Sequence, residues 1–180
     1  MMRQINAARM SRKKEDGFTL IELMIVIAVI GILAVVFISK VGAVKTSAKS
    51  TGVDTNVRTV QAYVQSRITA WGDNTTTFTQ AAIAADIAAA LNSASEKMKN
   101  PFATSGSGED IYDAVNNATS GLKTDTSQAL QIVKASDEAL AQGHGSVAVV
   151  IPADGAISNG IIINGLNQGG KVYSTVTIKP

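Results

Sequence analysis

The chain has 180 residues, no cysteine, a single histidine and a formal net charge of +2. Without cysteine there is no disulfide and no thiolate metal site, and one histidine cannot build a multi-histidine metal centre. A chain of this length is expected to form one folded domain with a modest core plus an accessory segment, rather than two independent domains. The charge is unevenly spread: Arg3, Arg9, Arg12, Lys13 and Lys14 stand against Glu15 and Asp16, so the first 17 residues carry +3 and the remainder about −1. No basic run is interleaved with aromatics, so no nucleic-acid partner is expected.

After the charged segment comes Gly17, then an apolar run from Phe18 to Ile38 in which only Thr19, Glu22 and Gly31 are neither large apolar residues nor alanine. A helix of this length covers roughly 30 Å, the thickness of the hydrocarbon core of a bilayer. Positive charge ahead of the run keeps that end cytoplasmic and sends the bulk of the chain outside. A secretory signal cut at small residues is the competing reading, but an acid sits inside the run and the helical pattern continues past it. Glu22 is costly within lipid unless it meets a partner or lies near the interface. A cut between Gly17 and Phe18 would create an amino group, mostly protonated at neutral pH, at the start of the helix. Glu22 of a neighbouring copy would neutralise it, and in a low-dielectric setting the pair attracts far more strongly than in water.

The segment Lys14-Glu15-Asp16-Gly17-Phe18-Thr19-Leu20-Ile21-Glu22-Leu23, with the apolar helix behind it, resembles the class III signal of type IV pilins and pseudopilins. The resemblance covers about 30 residues. It implies that prepilin peptidase removes residues 1–17 and that the amine of Phe18 is methylated. It also implies that Glu22, with Phe18, registers subunits during assembly. Gly31 stands where the family often has a helix-loosening glycine, whereas Ser39 stands where it usually has proline. The partners implied are prepilin peptidase, the cytoplasmic membrane before assembly, the pilus assembly machinery and identical subunits in a helical homopolymer. The precursor would sit in the cytoplasmic membrane with its head outside and then enter an extracellular pilus.

From residue 40 the pattern turns amphipathic. Val41, Val44, Ala48, Val53, Val57, Val60, Val64, Ile68 and Trp71 recur mostly every three or four residues, one apolar stripe on a helix. Lys40, Lys45, Lys49, Arg58 and Arg67 fall largely off it. One helix from about Thr19 to Ala70 is expected, with 18–39 as its membrane or filament-core half and 40–71 as its amphipathic half.

Residues 72–128 read as a variable helical and loop region. Gly72-Asp73-Asn74 and the threonines around Phe78 mark a loop. Gln80 to Asn100 is alanine-rich, with Ile83, Ile87 and Leu91 four apart, and predicts a second helix stopped at Asn100-Pro101. Residues 103–108 read as a flexible link, and Glu109 to Ala118 as a short helix. From 129 to 180 branched residues predict strands at Leu130–Val133, Ser146–Ile151, Ile157–Asn164 and Lys171–Ile178. Turn signals at Gly143-His144-Gly145, Asp154-Gly155 and Asn167 to Gly170 suggest an antiparallel meander. The first strand competes with a helix over Thr126–Gln142 capped by Ser127. The expected class is therefore α+β: a long N-terminal helix packed on one face of a C-terminal antiparallel sheet.

Chemistry-bearing constellations are sparse. His144 between two glycines reads as a solvated loop residue. Glu109, Asp110 and Asp113 fit no EF-hand spacing and suit a helix N-terminus as well as a calcium ion. No phosphate-cradling glycine loop is present, so no cofactor and no enzymatic activity are expected. Lys40, Lys45 and Lys49 suit anionic headgroups, a neighbour's acids or plain solvent. Asn74-Thr75-Thr76 and Asn117-Ala118-Thr119 match the N-glycosylation pattern. The aromatic residues are too few on the packed helix for electron transfer by stacking. These features leave a structural subunit, the major pilin of a type IV pilus, as the expected function. A major pseudopilin of type II secretion or a competence-type pilin shares every motif, and a single-pass membrane enzyme or sensor is the reading from outside the class.

Overall fold

The computed structural model describes residues 17–73, 79–93, 97–104, 108–113, 115, 126–135, 143–152 and 157–180. The leader through Asp16, Phe78, both glycosylation patterns and Asp154-Gly155 lie outside the described residues.

Helix α1 runs from Leu20 to Asp73, 54 residues, three residues past the expected end. The chain divides into two compact units, Met1–Gly42 and Ala43–Pro180, and α1 contributes to both. In the first unit the helix passes through Gly31 without interruption. None of its stretch Leu20–Ile38 is buried.

The second unit is built on the C-terminal part of α1. Its stripe is buried from Val53 through Val57, Val60, Val64, Ile68 and Trp71. Val41, Val44 and Ala48, expected in the same stripe, are exposed, Val44 by 67%. Spacing alone marks which residues share a face; burial also needs an opposing surface, and this one begins near Gly52. A Cβ at Gly52 would stand 2.6 Å from Cγ of Pro101, so glycine permits the close approach.

Helix α2, Gln80–Ser93, buries Ile83, Ala84, Ile87 and Leu91. Thr79 caps it, its Oγ1 accepting the amide of Ala82 at 3.3 Å. The expected helix to Asn100 stops short: at 97–100 the chain is non-helical, with Lys97 and Lys99 exposed and Met98 and Asn100 buried. That alternation is the period of extended chain. Asn100 holds it in place, its Nδ2 donating to the carbonyls of Gln128 (2.9 Å) and His144 (2.6 Å) and its Oδ1 accepting the amide of Phe102 (2.9 Å).

Five strands form one sheet in the order β1-β2-β3-β4-β5: Asp110–Asp113, Gln128–Lys134, Val147–Ile151, Ile161–Leu166 and Val172–Ile178. Asp110–Asp113 is a strand where a helix was expected. Ile111 joins the main core and Tyr112 a cluster apart from it, the two-sided pattern of a pleated strand. The ambiguity over Thr126–Gln142 resolves as a strand at Gln128–Lys134. Ile157–Asn159, expected to open a strand, is a single 3-10 turn.

The sheet is mixed, not an antiparallel meander. β1 pairs parallel with β2 and β2 with β3, while β3–β4 and β4–β5 are antiparallel. Residues 135–146 separate β2 from β3, a length suited to a parallel crossover rather than a hairpin. The Gly143-His144-Gly145 turn belongs to the end of that crossover. α1 and α2 cover one face, giving a main core with Leu130, Ile132, Val147, Val149, Ile161 and Ile163. The other face is buried too, through Val133, Ala148, Val150 and Leu166. β3 is accordingly buried at all five residues, and a strand covered on both sides reads as continuously apolar.

Candidate functional site

The first turn of α1 organises the residues singled out in the sequence. Gly17, Phe18 and Thr19 precede the helix in non-helical conformation, and Phe18 is 94% exposed. Thr19 is the N-cap and Glu22 the third helical residue. The amide and hydroxyl of Thr19 both donate to Glu22 Oε2 at 2.8 Å, and the amide of Glu22 donates back to Thr19 Oγ1 at 3.3 Å. This reciprocal pair is a capping box. The sequence carries its signature, Thr-x-x-Glu directly before an apolar run, a local role for Glu22 besides a partner in another copy or a place near the interface. The two functions are compatible. Both Thr19 bonds fall on Oε2, and among the described residues Oε1 has no partner, so the carboxylate keeps acceptor capacity for a cation from another chain. A cut at Gly17–Phe18 would leave the box intact, since Thr19 and Glu22 both lie beyond it.

Behind this turn, Leu20–Ile38 gives 19 residues of helix with its side chains exposed, about 28 Å at the usual rise. Each large apolar side chain taken from water contributes about 1.5–3 kcal/mol. A contiguous apolar surface of this size requires a membrane or other apolar helices around it. At Gly31 an added Cβ would meet nothing within 4 Å, so no packing contact in the isolated chain calls for glycine there.

The remaining candidates sit in the second unit, apart from Lys40 on α1. His144 is half-buried and lines a cavity of about 330 Å³ with Lys45 and Lys49. Glu109 lies 2.9 Å from Lys99, and that ammonium holds its carboxyl below the usual range. Asp110 opens β1. Among the described residues no three potential ligands cluster around a metal position.

One polar cluster escaped the sequence. Asp86 of α2 accepts through Oδ2 from Arg67 Nε (3.1 Å), Arg67 Nη2 (3.0 Å) and Trp71 Nε1 (3.1 Å). Tyr63 edges against Trp71 with ring centroids 6.4 Å apart, and its phenol pKa is raised by burial and then by the Asp86 charge. Tyr63, Arg67 and Trp71 follow one another by four residues on α1, and Asp86 is the only charged residue in the alanine-rich helix facing them. That spacing was the available signal. The cluster docks α2 on α1.

Residues 12–38 match the family described as the prokaryotic N-terminal methylation motif. The match takes in the end of the basic leader, Gly17, Phe18, Glu22 and the apolar helix through Ile38. No curated protein and no solved structure matches the chain. The motif implies processing by prepilin peptidase and handling by pilus-type assembly machinery. Through this N-terminal segment the chain is similar to type IV pilin-like and pseudopilin precursors, and the helix behind the motif is long and apolar enough to anchor such a precursor in a membrane.

Proposed function

We propose that the protein is the major structural subunit of a type IV pilus, cut between Gly17 and Phe18 and methylated on the Phe18 amine. The observation that carries this reading is the exposed apolar helix Leu20–Ile38 with Glu22 in its first turn, one turn from Phe18. In the precursor the helix faces lipid. In the filament it faces the same helix of other copies, so an apolar environment is exchanged for another at small net cost. The contact is head-to-tail and does not close into a ring, which generates a helical polymer. Glu22 of one copy against the Phe18 amine of the next sets the axial step. The heads, helix-backed sheets with no catalytic constellation among the described residues, form the outer surface of the extracellular fibre, and the role proposed is structural.

The test is mass spectrometry on material sheared from native cells, together with Glu22→Ala. Abundant chain beginning at N-methylated Phe18 in the sheared fraction is the expected result. Glu22→Ala should be processed normally and yield few or no filaments. A processed chain confined to membranes would favour a pseudopilin or competence-type subunit. An uncut Met1 in pilus-forming cells, or wild-type filament yield from Glu22→Ala, would overturn the assembly role.

A further inference from the structure

We propose that the cavity lined by Lys45, Lys49 and His144 holds the headgroup phosphate of an anionic phospholipid while the precursor is in the membrane. This rests on the membrane-anchored precursor, not on the pilus that follows it. The cavity measures about 330 Å³ and is also lined by Thr46, Phe102, Thr126 and Gln168. At roughly 30 Å³ per water it has room for a hydrated phosphate and its glycerol. Its described lining brings two ammonium groups, an imidazole and side-chain hydroxyl and amide groups together, with no carboxylate among them. Neither Lys45 nor Lys49 has an ion-pair partner among the described residues.

The wall is built rather than incidental. Phe102 is buried, with its amide on Asn100 Oδ1 at 2.9 Å, and the Lys49 ammonium lies over its ring at 5.4 Å. The same Asn100 side chain binds the His144 carbonyl at 2.6 Å. Gly145 adopts φ 70° beside Phe102, where an added Cβ would collide with the ring. Asn100 thus holds the wall that carries Phe102 and His144, and α1 supplies Lys45 and Lys49 opposite it. Lys45 comes seven residues after Ile38, the end of the apolar span. At the maximum reach of extended chain it stays within about 25 Å of that end. A tether this short presents the cavity to headgroups at high effective concentration, which favours a lipid phosphate over a free one.

The test uses the full chain in nanodiscs, with amine acylation of each lysine read by peptide mass spectrometry. Discs of zwitterionic phosphatidylcholine alone are compared with discs containing phosphatidylglycerol. The expected result is slowing of Lys45 and Lys49 by about threefold or more in the anionic discs, with Lys40 and Lys97 changed much less. His144→Ala should reduce that selective protection while leaving Lys40 unaffected. Equal slowing of Lys40, Lys45 and Lys49 would mean a diffuse surface potential and would overturn the site. Equal protection by millimolar glycerophosphate in zwitterionic discs would overturn the lipid source. Protection that follows protein density in zwitterionic discs would assign the cavity to a second copy and overturn it as well.

Discussion

Replacing Asp86 tests how the head holds its second helix. The Arg67 end of the cluster is open to solvent, where screening leaves an ion pair little net value. Trp71 differs, being 1% exposed with its indole N–H donating to Asp86 at 3.1 Å. Asp86→Ala would leave that buried donor unpaired, which costs about 1–3 kcal/mol. With a urea slope near 2 kcal/mol/M, a loss of about 2 kcal/mol lowers the unfolding midpoint by about 1 M. Asp86→Asn keeps an acceptor oxygen and should lose less than half as much. The assay is urea unfolding of the unit Ala43–Pro180, followed by fluorescence of Trp71, the only tryptophan. An Asp86→Ala midpoint within about 0.2 M of wild type would refute the reasoning. Equal losses in the two variants would show that charge, not the acceptor, matters.

Three further outcomes are expected. Thr19→Val, which removes the capping hydroxyl but keeps Glu22, should still be processed and form filaments; failure as complete as that of Glu22→Ala would make the capping box the essential feature. Gly145→Ala places a side chain at φ 70° against Phe102 and Asn100, which should cost about 1–3 kcal/mol in the same urea assay; an unchanged midpoint would argue against the Asn100-stapled loop. The Tyr173 phenol is pushed above its ordinary range by burial and by its bond to Asp54 (2.7 Å). Because its folded pKa is raised, its contribution to stability is complete below about pH 10 and is lost as pH rises above that. In ultraviolet titration Asp54→Asn should bring Tyr173 ionisation back towards the ordinary range, and an unmoved transition would contradict the contact.

Much of the first unit was legible because its determinants are local. Apolar length, the charge in front of it and the order Gly17-Phe18-Thr19-Leu20-Ile21-Glu22 are linear properties, and the family match falls on the same segment. The sheet was legible as strands and not as topology. Val147–Ile151 is branched and apolar throughout, which identifies a strand but not its neighbours. Pairing direction depends on how the chain crosses between strands, and the glycines around His144 suggested a hairpin that the parallel β2–β3 register excludes. At Asp110–Asp113 acids near a loop suit a helix start as well as an edge strand, and pairing with β2 decides between them.

The sequence by itself determined that the chain has a basic leader, an apolar helix able to span a bilayer, a heptad-like stripe continuing from it and a strand-rich end. Those features rest on period, length and charge, each carried by neighbouring residues. Only the tertiary structure decided that burial starts at Val53 rather than Val41, that the sheet is mixed and buried on both faces at its central strands β2–β4, and that Asn100 gathers the loops carrying Phe102 and His144. Each depends on groups far apart in sequence, Asn100 with Gln128 and His144 above all, meeting in a packed core. A periodic pattern can nominate a face, but only the opposing surface determines where that face is buried.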